Sequence, residues 1–310
     1  MTEAAERDRD VWRRRATYAS VGVALTLIGM KLAAFLASGS VSLLSSLIDS
    51  SVDLMASIVI LFGVARALQP PDLMHRFGHG KAEPLAAMAQ GAFVCGSAVF
   101  LGYEAISRFV DPQAVEETEL GIVVMLLSIL LTLMLVLFQR WVIARTGSLA
   151  IDADSLHYRG DLVMNLAVIA SLLLTRWSGS PYWDPAFALA IAAFLVWGAQ
   201  GIVRSALDVL MDRELPDRAR DEIVRLVLAN PETRGMHDLR TRSTGLGEHV
   251  EFHLELDPEL SLARAHDITD AIERTLRAAF PNAEFTIHQE PAGLEDERLD
   301  HRLRNRRQER

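Results

Sequence analysis

The sequence predicts an all-α transmembrane domain of six spans followed by a small cytoplasmic α+β domain of αββαβ order. Three observations carry this. Apolar residues crowd into positions 17–210, and charges crowd into the two ends. Six runs in that stretch are long enough for a bilayer, because ~30 Å of hydrocarbon needs about 20 apolar residues at 1.5 Å per residue. From Asp212 onward the composition turns polar, and short amphipathic periods replace the apolar runs. The expected division is an N-terminal cytoplasmic segment 1–16, a membrane domain 17–210, a metal-binding α+β domain 211–292 and a charged, disordered tail 293–310.

The spans are expected at about 17–37, 41–67, 85–109, 119–142, 154–176 and 185–210. The fourth, GIVVMLLSILLTLMLVLF, has no polar stripe, so it does not suit a soluble bundle. The second and fifth carry ionisable residues. Loop charge alternates. Arg13, Arg14 and Arg15 precede the first span; Arg66, Arg76 and Lys81 follow the second; Arg140, Arg145 and Arg159 follow the fourth. The opposite loops hold only Arg108 and Arg176 at their edges. Excess Lys and Arg marks the cytoplasmic side, which places both termini in the cytoplasm.

In the last domain, 216–230 reads as an amphipathic helix with Ile223, Leu226 and Val227 inward. Strands are expected over 236–243, 248–256 and 283–290, with a second helix over 262–280. Val250, Phe252, Leu254 and Leu256 alternate with Glu251, His253 and Glu255, the period of a half-buried strand. The order fits a sheet with both helices on one face.

Composition excludes several functions. A net charge of −9 argues against a nucleic-acid protein, which would show a basic face. The single cysteine, Cys95, permits neither an internal disulfide nor a thiolate metal site, so metal chemistry here must use His, Asp and Glu. The N-terminus lacks the pattern of a secretory signal. Neither H-E-x-x-H nor G-x-x-x-x-G-K-[ST] occurs, so no metalloprotease or nucleotide-driven pump is expected, and the chain is read as a non-enzyme.

The informative residues are charges inside the membrane. Asp49 and Asp53 lie in the second span, His157 and Asp161 in the fifth, each pair four apart on one helix face. Three carboxylates at mid-bilayer would cost roughly 8–10 kcal/mol without partners. Lys31 lies on another span and could snorkel to an interface, and Arg159 has the wrong phase. Two such pairs on neighbouring helices supply four ligands for a tetrahedral divalent ion, most naturally Zn²⁺. A polar cluster that only locks helices together is the alternative. Asp154 and Asn165 continue the same face of the fifth helix, where they would line an access path.

The cytoplasmic loop LQPPDLMHRFGHGK holds Asp72, His75 and His79, a spacing able to place three ligands around one ion. In the last domain His253 and His288 point to the polar face of the expected sheet, His237 begins its first strand, and Glu290 follows His288 by two residues. His266 lies on the polar face of the second helix.

Together these residues resemble the cation diffusion facilitator family, through SVSLLSSLIDSSVDLMAS, FGHGKAEPLAAMAQ, DADSLHYRGDLVMN, LMDRELPD and IHQEP. The resemblance implies a homodimer in the bacterial inner membrane with a metallochaperone-like cytoplasmic domain. It implies a transport site at Asp49, Asp53, His157 and Asp161 and a loop site at Asp72, His75 and His79. It also implies a binuclear site at His237, His253, His266, His288 and Glu290, where a similar member of the family has aspartate at the last position. Lys81 and Asp212 match a charge interlock between subunits. Zn²⁺ or Cd²⁺ selectivity follows from His157 by the same likeness, and Fe²⁺ shares the ligand types. The expected function is efflux by proton antiport with a metal-sensing cytoplasmic domain. A passive divalent-cation channel and a non-transporting metal sensor stay open.

Overall fold

The computed structural model describes residues 3–39, 41–110, 119–294 and 298–299. The chain divides into two compact units, one of residues 7–207 and one of residues 1–6 together with those from Asp208 onward.

The first unit is built from six helices: α1 (Glu3–Ser38), α2 (Val41–Ala67), α3 (Ala82–Val110), α4 (Glu119–Thr146), α5 (Leu149–Ser178) and α6 (Trp183–Leu210). All six are long and apolar enough to cross a membrane. Several outrun their apolar stretch. Helix α1 begins at Glu3, well before position 17. Its polar start is rich in Ala, Glu and Arg, which favour helix, and Trp12 donates its indole N–H to Asp8 one turn earlier. Helix α5 begins at Leu149 because Ser148 caps it, its hydroxyl accepting from Ile151 N at 3.3 Å. It ends at Gly179, whose φ of 72° is the left-handed stop that glycine tolerates.

Close approach of these helices rests on small residues, as between membrane helices generally. A Cβ on Gly63 of α2 would overlap that of Ala86 on α3. On α5 and α6, Gly160 receives Leu195 and Gly198 receives Leu156; an added Cβ would lie 2.7 Å from either leucine. A core of Ala87, Val94, Ala153, Leu156, Ile191 and Ala199 joins α3, α5 and α6. Large apolar side chains such as Phe62, Phe100 and Leu130 face outward. That is costly in water and favourable in lipid.

The second unit contains α7 (Asp217–Leu228), β1 (Gly235–Ser243), β2 (Glu248–Leu256), α8 (Leu262–Ala279) and β3 (Ala283–Pro291). The sheet order is β1-β2-β3. Strands β1 and β2 form an antiparallel hairpin, whereas β2 and β3 run parallel, joined through α8. Alternation puts Val250, Phe252 and Leu254 against Ile223 and Val227 of α7 and Ile268 and Ile272 of α8. The other face of β2 is left to His253. The β1–β2 register shifts between His237 and Arg240, where Asp238 takes a positive φ of 52°. The tail expected over 293–310 lies outside the described residues, except at 293–294 and 298–299. There Arg298 pairs with Glu255 at 2.7 Å and Leu299 N donates to Asp238 at 2.8 Å, so this stretch is tied to the sheet.

Candidate metal centre

Among the described residues, three groups of His and carboxylate side chains each bring ligand atoms within 4.8 Å of one another. The first lies inside the helical unit. Helix α2 carries Asp53 and α5 carries His157 and Asp161. His157 Nε2 is 2.9 Å from Asp53 Oδ1 and 3.8 Å from Asp161 Oδ2. His157 is buried, with the ring of Phe93 edge-on at 5.8 Å. A cavity of about 500 Å³ opens beside them, lined by Lys31, Asp49, Ser50, Asp53, His157 and Asp161 among others. Asp49 shares this cavity one helical turn before Asp53 but is not in the converging group of three. Asn165 also lines it, as the sequence led one to expect.

Asp154 differs from its expectation. It does not line this cavity; it is 1% exposed and tied into the helix packing. Gln139 Nε2 of α4 donates to it at 2.8 Å and Ser57 Oγ of α2 at 3.2 Å. Gln139 Nε2 also reaches Ser20 Oγ of α1 at 3.0 Å. Tyr158 OH lies 2.9 Å from Ser57 Oγ and donates to the Ser20 carbonyl at 3.3 Å. Four helices thus meet in one polar network a turn away from His157. Sequence reasoning missed Ser20, Ser57, Gln139 and Tyr158. The available signal was Gln139 at the end of the most apolar span, where an amide needs partners. Lys31 does not snorkel away either. Its ammonium donates to Ser50 Oγ at 2.6 Å and to the Ser46 carbonyl at 3.2 Å, inside the cavity lining. Arg159 turns from the site and pairs with Asp152 at 2.8 Å.

The second group is the loop between α2 and α3. Asp72 Oδ1 accepts the backbone N–H groups of Met74 at 2.8 Å and His75 at 2.7 Å, a local Asx-type turn. The His75 amide, with that of Met74, holds the Asp72 carboxyl below the usual carboxylate range. His75 Nδ1 and His79 Nε2 stand 3.4 and 3.3 Å from the two oxygens of Asp72. His79 is buried, and its Nδ1 faces the Gln69 carbonyl at 3.4 Å. A proton on Nδ1 leaves the Nε2 lone pair toward Asp72, the tautomer that ligates a metal.

The third group lies on the outer face of the small sheet. Register aligns His237, His253 and His288 across the three strands. Their rings follow one another at 4.9 and 4.6 Å. Glu290 closes the group: one oxygen meets His237 Nε2, and the other lies 3.1 Å from His253 Nδ1. Glu255, not foreseen as a neighbour, stands 3.6 Å from His237 Nε2. His288 is exposed and outside the converging three. His266 is not brought to this face. It sits exposed on α8 near Asp270 at 3.7 Å, and α8 packs against the sheet's opposite side. Lys81 precedes α3, and Asp212 follows α6 with φ of 55° and its carboxylate 3.3 Å from Arg242 Nη1.

Comparison with known proteins adds the following. A family described as the cation efflux transmembrane domain matches residues 17–211. One described as the cation efflux protein, cytoplasmic domain, matches residues 215–292. The "cation-efflux pump FieF" of Shewanella oneidensis is 45% identical over 287 residues, 92% of this chain and 96% of its own length. That of Pectobacterium atrosepticum is 44% identical over 288 residues, 93% and 96% respectively. A solved metal-bound C-terminal domain of the CzcD transporter from Thermotoga maritima is 28% identical with a TM-score of 0.25, covering 26% of this chain and 93% of its own.

Proposed function

This chain belongs to the cation efflux family, and on that premise we propose that it moves Zn²⁺, and Cd²⁺ or Fe²⁺ through the same ligands, out of the cytoplasm in exchange for protons. The observation that carries this reading is the contact between α2 and α5, where Asp53 and His157 meet beside Asp161 at one cavity. The His157–Asp53 hydrogen bond occupies the place a divalent ion would take. Ligands must be deprotonated to bind, so ion and protons compete for the same lone pairs. Histidine suits this competition because its class titrates near ~6.5. Loading at the cytoplasmic side releases protons, and a more acidic outside returns them and ejects the ion. One pH unit of gradient supplies about 1.4 kcal/mol per proton.

In this reading Asp49 completes the membrane site by turning inward on α2, the loop trio and the sheet cluster bind the same ions from the cytoplasm, and two copies form a homodimer. His266 would serve the sheet cluster only from a second copy. Lys81 and Asp212 would interlock the subunits where membrane and soluble parts meet. The termini lie in the cytoplasm and the membrane is the bacterial inner one.

Proton flux in sealed proteoliposomes tests the function. Zn²⁺ and Cd²⁺ should each drive proton movement against the ion's direction, Mn²⁺ should drive little, and Asp161→Ala should abolish the signal. A channel would instead equilibrate the ion and never concentrate it. For the loop, Asp72→Asn should weaken ion binding by about tenfold, the lower end of what losing even an outer partner of a metal ligand costs. The depressed carboxyl loses its charge only as pH falls below the usual carboxylate value. The ratio of variant to wild-type affinity should therefore be the same at pH about 5.5 and about 7.5 by calorimetry.

A further inference from the structure

Lys31 is unusual for a lysine on a membrane helix. It sits in the middle of α1, it is half-buried, and its ammonium is held on α2 by Ser50 Oγ at 2.6 Å and the Ser46 carbonyl at 3.2 Å. The same side chain lines the cavity that holds Asp49, Asp53, His157 and Asp161. An ammonium held there by two acceptors is part of the site's charge balance.

The balance has a simple form. Ligation requires ionised carboxylates and a neutral imidazole. Asp49, Asp53 and Asp161 then bring three negative charges and Lys31 one positive, leaving two negative. A divalent ion makes the loaded cavity neutral. Without Lys31 the same ion would leave one negative charge stranded in hydrocarbon, which is costly, and a trivalent ion would fit better. Resting on the cargo-site reading above, we infer that Lys31 is a resident cation of the transport cavity, a specificity-determining residue that matches it to divalent ions and keeps their binding loose enough for release. Ser46 and Ser50 are its tether: they hold the ammonium to one side of the cavity and leave the carboxylates free for the cargo.

The test uses the full chain, purified and reconstituted, with Cd²⁺ and Tb³⁺ as probes. Replacing Lys31 by neutral Met, or by Gln, which can still hydrogen-bond the serines, removes a like charge from beside the ion. Each should tighten Cd²⁺ binding at the membrane site by about tenfold, slow Cd²⁺ efflux by about tenfold, and let Tb³⁺ compete at least tenfold better than at the wild-type site. K31R, which keeps the charge, should restore much of the rate lost in K31M. Asp53→Ala marks which part of the isotherm belongs to the membrane site. Cd²⁺ affinity that stays unchanged or weakens in K31Q, with no gain for Tb³⁺, overturns the inference and leaves Lys31 a structural tie between α1 and α2. If Asp53→Ala itself transports Cd²⁺ normally, the cargo-site reading fails instead, which is a distinct result.

Discussion

Asp53→Ala should reduce cation export by at least a hundredfold, beyond the ten- to hundredfold that loss of an outer-shell partner costs a metal site. Among the described residues, Asp53 is the α2 side of the one converging group carried on the long apolar helices themselves. Without it, His157 and Asp161 are left on one helix, four residues apart and 3.8 Å from each other at their nearest atoms. With only Asp49 left on α2, the ion loses one of its four ligands and one of the negative charges that offset its desolvation. The initial rate of Zn²⁺ movement in proteoliposomes measures this. Ser51→Ala is the matched control: Ser51 is exposed and its hydroxyl returns to its own helix at Leu47 O, 2.9 Å away, so its rate should equal wild type. An Asp53→Ala rate above a tenth of wild type would show that the ion passes elsewhere.

Phe252→Ala should unfold the small domain. Phe252 is fully buried in the central strand, between both helices and the sheet. Truncating a buried phenylalanine costs about 3–5 kcal/mol, a large part of the ~5–15 kcal/mol that holds an ordinary domain together. The next residue, His253, is a ligand candidate that faces the other way. The same substitution should therefore abolish ion binding at the His237, His253 and Glu290 cluster while binding at the membrane site persists. Calorimetry of the full-length variant, with limited proteolysis of the region after Asp212, reads both effects. A protease-resistant domain with normal ion binding at the sheet would contradict the packing described here.

The architecture was readable from the sequence because each element carried a strong periodic or length signal. Apolar runs of bilayer length fixed six helices, and strict alternation in VEFHLEL placed β2 at the same residues the structure gives. Helix ends were less legible. Glu3–Ala16 extends α1 through side chains that favour helix without being apolar, so a hydropathy argument stops short. The i,i+4 spacing singled out His157 and Asp161, and the loop spacing Asp72, His75 and His79, as local neighbours, and the structure brings them together; Asp53 joins the first pair from another helix, and its own i,i+4 partner Asp49 stays outside the group. Asp154 shows where that logic ends. One helix face is broad enough to touch different neighbours at different heights, and only packing against α1, α2 and α4 gives Asp154 its four-helix network. Lys31 has the same lesson, since its partners lie on another helix. His266 could be assigned to the sheet only by resemblance, and within one chain α8 keeps it away.

The most direct test is X-ray absorption at the zinc edge on the full-length protein, with His75, His79, His237 and His253 replaced by alanine so that only the membrane site binds. The bound ion should show four-coordination by one imidazole nitrogen and three carboxylate oxygens at about 2.0–2.2 Å. A spectrum without an imidazole contribution, or one matching a fully hydrated ion, would mean that α2 and α5 do not jointly hold the cargo.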